Sequence, residues 1–235
     1  MEVSILPFKQ NGVYHFTAFV ADISARKLAE ELARKLAYYD PLTGLANRML
    51  LRDRLIQSMI ASDRSRHYGA LMFIDLDNFK PVNDLYGHAA GDLVLIEVAK
   101  RLKSCVRKID TVSRIGGDEF IVLMDDLTAD RVQSQLQAAL LAEKVRDRLA
   151  DLYTLSHHVG ETQLGHWIEH HCSACIGVVL FLGIEQIEEE IMKSADAAMY
   201  QAKEAGRNRV CFHQAPELRP EAIDNSHPNV VPVGC

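Results

Sequence analysis

The run Phe73-Ile74-Asp75-Leu76-Asp77-Asn78-Phe79-Lys80 carries an apolar stretch into two carboxylates at i and i+2. In a β-strand that spacing puts both acids on one face of the sheet, at its edge. Aspartates so placed suit Mg²⁺, a hard cation that takes oxygen ligands and commonly bridges to substrate phosphates. A solvated strand end would show the same two residues. A second acidic tip lies in Arg114-Ile115-Gly116-Gly117-Asp118-Glu119-Phe120. Its two glycines allow positive φ and let a bulky ligand approach the backbone, so a metal and a triphosphate could meet Asp118 and Glu119 at a hairpin tip. A plain Gly-Gly hairpin accounts for the turn but not for a second acidic tip beside the first.

Two further groups could recognise a nucleotide. In Asn83-Asp84-Leu85-Tyr86-Gly87-His88-Ala89-Ala90-Gly91-Asp92 an amide and a carboxylate flank a glycine-containing connection. A carboxylate can accept the paired N–H donors of guanine, and an amide can bond its acceptors. Helix capping by Asp92 and turn formation by Asn83 are the alternative. Lys203 and Arg207 stand four apart near the end of a helical run, hence on one face. They could bind phosphates or offset the helix dipole.

These groups need a scaffold, and the chain is long enough to build one. It has 235 residues, 48% apolar and 25% charged, with a net charge of −6. That balance excludes a wholly disordered chain, a collagen-like fibre and a disulfide-stapled miniprotein, and argues against a non-specific binder of nucleic acid polymers. The longest apolar stretch, residues 175–184, is broken by Gly177 and Gly183 and falls far short of the roughly 20 residues of a membrane helix. With no signal peptide at the start and five cysteines, an odd number, the expectation is a cytoplasmic protein with reduced thiols.

Periodicity predicts helices over 48–60, 129–152 and 187–205, and a further one after Gly91 with Leu95, Val98, Ala99, Leu102 and Val106 on one face. Strands are expected at 70–74, 113–115, 120–124 and 209–212, with two more flanking a polar loop at 160–165. This order suggests an α/β sandwich with helices against one sheet. Upstream, Val3–Leu6 and Val13–Val20 read as strands around Gln10-Asn11-Gly12. Asp22 or Ser24 can cap a helix to about Tyr39, whose Ala25, Ala29, Leu32, Leu36 and Tyr39 keep the 4-3-4-3 spacing of a coiled-coil seam. A helix packed on its own domain would fit as well. Residues 214–235 hold four of the seven prolines and read as a disordered tail.

The runs Asp40-Pro41-Leu42-Thr43-Gly44-Leu45-Ala46-Asn47-Arg48, Asp75 to Lys80, Asn83 to Asp92, Gly116 to Phe120, and Ala195-Asp196-Ala197-Ala198-Met199-Tyr200 through Arg207-Asn208 resemble GGDEF-domain diguanylate cyclases, in the family's order over residues 40–213. The resemblance implies a mostly antiparallel central sheet flanked by helices, built like a polymerase palm or nucleotidyl cyclase. It implies condensation of two GTP into cyclic di-GMP with release of two pyrophosphates. Asp75, the carbonyl of Leu76, Asp118 and Glu119 then match the metal ligands, two Mg²⁺ (or Mn²⁺) per half-site, with Glu119 beside the attacking 3′-hydroxyl. Asn83 and Asp92 match the guanine readers, Lys203 and Arg207 the phosphate binders, and the backbone at Phe79 and Lys80 covers the β and γ phosphates. Each chain of a homodimer would hold one GTP.

The same resemblance places a product-inhibition site at Arg107 and Asp110, an Arg-x-x-Asp upstream of the glycines; a solvated helix end is the plainer reading. Phe16 to Ser24 resembles the last strand of a PAS sensor with its exit motif, which makes residues 1–22 a sensor remnant and 23–39 a signalling helix. The other function class to weigh is a catalytically silent GGDEF domain acting as a cyclic di-GMP receptor or dimerisation module. Five of the ten histidines fall within 157–171, beside Cys172-Ser173-Ala174-Cys175. The two cysteines, three apart on an expected strand, should point to opposite faces, and a zinc site is not expected there.

Overall fold

A computed structural model of the chain describes residues 1–157 and 166–213. Along the chain run β1 (Glu2–Gln10), β2 (Val13–Ala21), α1 (Ser24–Tyr38), α2 (Arg48–Ser65), β3 (Gly69–Leu76), α3 (Phe79–Tyr86), α4 (His88–Cys105), β4 (Thr111–Gly116), β5 (Glu119–Met124), α5 (Arg131–Ala150), β6 (Tyr153–His157), β7 (His166–His170), β8 (Ala174–Phe181), α6 (Glu188–Glu204) and β9 (Arg209–Phe212). Five strands form the central sheet in the order β4-β5-β3-β8-β9. All its pairings are antiparallel except β8 with β9.

Strand β3 lies at the centre and is buried along its whole length. Its alternation sorts the helices. Ala70, Met72, Ile74 and Leu76 pack with Val94, Val98 and Leu102 of α4 and Ala138, Ala142 and Val145 of α5. Leu71 and Phe73 point the other way, into Leu51, Leu55 and Met59 of α2 and Ile191, Ala195 and Met199 of α6. A strand covered on both faces needs an unbroken apolar run rather than an alternating one, and 69–74 supplies it. The expected fold class holds: a mixed α/β chain with helices on both faces of one sheet.

Two boundaries differ from expectation, and both bear on the site. Residues 79–86 form a short helix, α3, that periodicity did not show, because eight residues with Pro81 in the first turn give little pattern to read. Helix α4 starts at His88, so Gly91 and Asp92 lie inside it. Gly91 survives there because a methyl would collide with the Asn83 side chain.

The β1–β2 hairpin turns at Asn11 and Gly12, both with positive φ, as a two-residue hairpin turn requires. It forms its own two-stranded sheet with exposed residues throughout β1. Asp22 accepts the Ser24 N–H at 2.9 Å at the start of α1. None of the residues of α1 is buried, and Leu28, Leu32 and Leu36 are all exposed. The expected β6–β7 hairpin is present; the loop at 160–165 and the tail at 214–235 lie outside the described residues. Cys105, Cys172, Cys175 and Cys211 are free thiols.

Helix α6 meets β8 at Gly177, where an added methyl would strike the backbone of Ala195, Ala198 and Met199. Glycine is ordinarily a weak strand residue, so Gly177→Ala would be neutral or better without that contact. With it, the unfolding free energy measured in urea should fall by about 2–3 kcal/mol, the upper range for overpacking a core.

Candidate active site

The antiparallel register of β3 and β5 sets Asp75 directly opposite Glu119. Cross-strand partners share a face, here the side occupied by α2 and α6. Between β4 and β5 the chain turns through Gly116 and Gly117, whose φ of 49° at Gly117 favours glycine. A register shift between Arg114 and Gly116 marks a bulge just before the turn, the usual device for re-aiming a sheet edge. The turn is held from both sides. Leu76 donates its N–H to the Asp118 carbonyl at 3.3 Å. Arg114 donates through Nε and Nη2 to the Gly117 carbonyl at 2.9 and 2.7 Å, while its Nη1 reaches Asp40 at 3.2 Å. Asp40 in turn accepts from the N–H and hydroxyl of Thr43.

The cluster is electrostatically unfavourable on its own. Burial, followed by the charges of Asp75, Asp118 and Asp196, pushes the Glu119 carboxyl above its ordinary pKa, with Arg48 opposing. Asp75 is also raised, first by burial, with Lys203 opposing and Asp118 and Asp77 adding to the rise. Lys203 bonds Asp75 at 2.8 Å. Burial works against its charge, but that bond holds it above the ordinary lysine range. Among the described residues no group of three or more His, Cys, Asp and Glu side chains is arranged as a metal site. The donor chemistry nonetheless fits a hard divalent cation: carboxylate oxygens whose mutual repulsion an added positive charge would relieve.

Two expectations need correction. Asp77 does not stand with Asp75. It lies past the end of β3, with its carboxylate enclosed by Ser173, Cys175 and the Asn208 N–H. Arg207 is not one helical turn from Lys203, because α6 ends at Glu204. It sits in the following corner at φ 63°, with Nε 3.9 Å from Asp77. Both cations therefore face the β3 terminus, but from two different backbone segments. The cysteines also differ from expectation. Cys172 precedes β8, so strand alternation does not apply, and the thiols of Cys172 and Cys175 both reach Asp77.

Asn83 and Asp92 are brought together by the α3–α4 pair, since the Asn83 side chain lies over Gly91. Neither plays the alternative part weighed above: Asp92 lies within α4 and Asn83 within α3. Phe79 and Lys80 open α3, whose N-cap Asn78 makes no side-chain capping bond. Their N–H groups thus belong to a first turn with unspent donors, the kind that binds phosphate. Away from this edge, Arg107 donates to both carboxylate oxygens of Asp110, at 3.2 and 2.8 Å, and to the Asp125 carbonyl at 2.7 Å. They border a cleft of 440 Å³ that Arg54 and Lys103 also line.

A family model described as "Diguanylate cyclase, GGDEF domain" matches residues 37–209. The chain belongs to the GGDEF family. It is 45% identical over 194 residues to the bifunctional diguanylate cyclase/cyclic di-GMP phosphodiesterase MucR of Pseudomonas aeruginosa, covering 80% of this chain and 26% of that protein. It is 34% identical over 203 residues to the cyclic di-GMP phosphodiesterase PdeR of Escherichia coli, covering 86% of this chain and 28% of that one. The chain thus spans little more than a quarter of either relative. The coiled coil and GGDEF domain of DgcB from Caulobacter crescentus, solved with c-di-GMP, superposes with a TM-score of 0.67 at 26% identity, over 80% of this chain and 93% of that one.

Within this GGDEF domain Arg114 has no role in the sequence reading, although it adjoins the signature; the signal for it is an arginine beside Gly116-Gly117 with an unassigned Asp40 upstream. One consequence of the acidic cluster can be measured without substrate. The folded-state pKa of Glu119 lies above its unfolded value, so the folded chain holds its proton more tightly. Stability therefore falls as pH rises through that window and stays lowered at neutral pH. Glu119→Gln should raise the melting temperature by about 1–3 °C at neutral pH, and the gain should vanish below the ordinary carboxylate range. Calorimetric melts across pH check both parts.

Proposed function

We propose that the chain is a diguanylate cyclase module that condenses two GTP into cyclic di-GMP. The observation that carries this reading is the placement of Asp75 and Glu119 opposite each other at a sheet edge, the ionisation of both opposed first by burial and that of Glu119 next by the charge of Asp75. In each half-reaction a ribose 3′-oxygen forms a bond to the α-phosphorus of the other nucleotide. The bond from that phosphorus to the β-phosphate bridge breaks and pyrophosphate leaves.

Family members generally use divalent metal ions. Asp75, the Leu76 carbonyl, Asp118 and Glu119 would hold Mg²⁺ or Mn²⁺, two per half-site. The bound ions would supply charge neutralisation at the phosphates and favour ionisation of the hydroxyl. The chain's own groups do the rest. Asn83 and Asp92 bond the guanine edge, and the N–H groups of Phe79 and Lys80 hold the terminal phosphates. Lys203 and Arg207 add positive charge there, and Glu119 takes the hydroxyl proton. One chain presents one GTP, so turnover requires two chains face to face. The Leu28, Leu32 and Leu36 stripe of α1, left exposed, is consistent with pairing through that helix. We read residues 1–22 as the end of a PAS-like sensor, 23–39 as its signalling helix and 40–213 as the cyclase. Among the described residues no helix is long and apolar enough to cross a membrane. A GTP substrate assigns the reaction to the cytoplasm.

Incubation with GTP and Mg²⁺ should yield cyclic di-GMP on chromatography, at a rate rising more than linearly with protein concentration. No product at high concentration, with product continuously removed, overturns the reading. Glu119→Gln should lose product formation by about 10²-fold or more, as loss of a general base does, while keeping the cooperative melt described above.

The second reading, a silent receptor for cyclic di-GMP, draws on the double activity in MucR's name and on PdeR's. It also draws on the cleft beside Arg107 and Asp110, which on the cyclase reading serves feedback inhibition. Arg107→Ala should weaken product binding roughly tenfold or more in a calorimeter, in line with loss of a charged hydrogen bond. Unchanged affinity removes the inhibitory site from both readings; binding without turnover favours the receptor.

A further inference from the structure

One carboxylate near the site is committed to neither the core nor the metal-binding edge. Asp77 is 4% exposed, and a buried carboxylate is tolerated only when its oxygens are bonded. Here Oδ2 accepts from the Ser173 hydroxyl at 2.7 Å and from the Asn208 N–H at 3.1 Å. Oδ1 accepts from the Cys175 thiol at 3.1 Å, with Arg207 Nε 3.9 Å away. The backbone is fixed as well: the Asp77 N–H donates to the Ser173 carbonyl at 2.8 Å, and its own carbonyl accepts from the Cys172 thiol at 3.2 Å. Burial, with Asp77 adding to it, pushes both thiols up to about 12, so each remains an S–H donor.

The far side of this clamp is a strained corner. Gly206, Arg207 and Asn208 carry φ of 110°, 63° and 43° in succession. Two consecutive side-chain-bearing residues in the left-handed region persist only where the surroundings hold them. The tethers are the Asn208 N–H on Asp77, the Arg207 N–H on the Ala202 carbonyl at 3.0 Å, and Arg209 Nε on the Arg207 carbonyl at 3.2 Å. Arg207 meets Asp77 through Nε, and 61% of its side-chain surface stays exposed.

We propose that Asp77 is a positioning residue for the substrate triphosphate: it pins the Arg207–Asn208 corner to the end of β3 and so aims the exposed guanidinium of Arg207 at the phosphates. This rests on the cyclase reading above. It assigns to Asp77 a role distinct from that of Asp75, although the two are spaced like paired metal ligands. The base edge, read by Asn83 and Asp92 on other helices, does not depend on it.

The test is a double-mutant cycle in binding, independent of turnover. A non-hydrolysable GTP analogue and guanosine are titrated into wild type, Asp77→Asn, Arg207→Ala and the double variant. Asp77→Asn should weaken the analogue roughly tenfold and leave guanosine unchanged. In the Arg207→Ala background it should weaken the analogue no further, the non-additivity expected of groups acting as a unit. Additive losses, or equal losses for guanosine, overturn the positioning role and leave the cyclase reading intact. Failure of the wild type to bind the analogue overturns both. If Asp77→Asn does not melt cooperatively, Ser173→Ala replaces it, removing one donor and keeping the charge. It should cost about twofold on the analogue alone, again only when Arg207 is present; an equal cost in the Arg207→Ala background overturns the proposal.

Discussion

The register of one central strand decides everything at this site. Because β3 is hydrogen-bonded on both edges, Asp75 faces Glu119 on one neighbour and Cys175 on the other. A slip of one residue would send every side chain to the opposite face. Asp75 would then enter the apolar layer of α4 and α5, and Ile74 would take its place at the edge. Burial of both faces of β3 is what forbids the slip, so the hydrophobic core and the acidic edge are fixed by the same constraint. The close fit of α6 at Gly177 adds to it, holding the helix that carries Lys203 at a set depth over the sheet.

Clustering acids at that edge is unfavourable, and the structure offsets it locally. Lys203 sits on Asp75, Arg114 neutralises Asp40 while holding the Gly117 carbonyl, and Arg207 faces Asp77. The net charge of −6 therefore describes the whole surface and not the edge, where Asp75, Asp40 and Asp77 each have a basic neighbour. Glu119 has only the opposing charge of Arg48.

Much of this was legible in the sequence, for physical reasons that also mark where reading stopped. The doubly buried strand announces itself as an unbroken apolar run, and Gly-Gly before two acids announces the tip. Helix α3 gave no signal because eight residues are too few for a period, and Gly91 inside α4 read as a boundary when it is a close approach to Asn83. Spacing grouped Asp77 with Asp75 because alternation assumes that the strand continues; it ends at Leu76. Four-residue spacing puts Arg207 on the helix of Lys203, which stops at Glu204. Those errors share a cause: local periodicity holds only within an element, and functional groups gather where elements end.

The thiols around Asp77 carry a consequence of another kind. Reaction with peroxides or alkylating electrophiles needs the thiolate. With both groups held near 12, only about one molecule in 10⁵ carries that form at neutral pH. A hydroxyl in their place would be equally inert but smaller, leaving gaps in a close-packed corner. Sulfur here supplies bulk and S–H donors to the Asp77 carbonyl and carboxylate while staying in the thiol form.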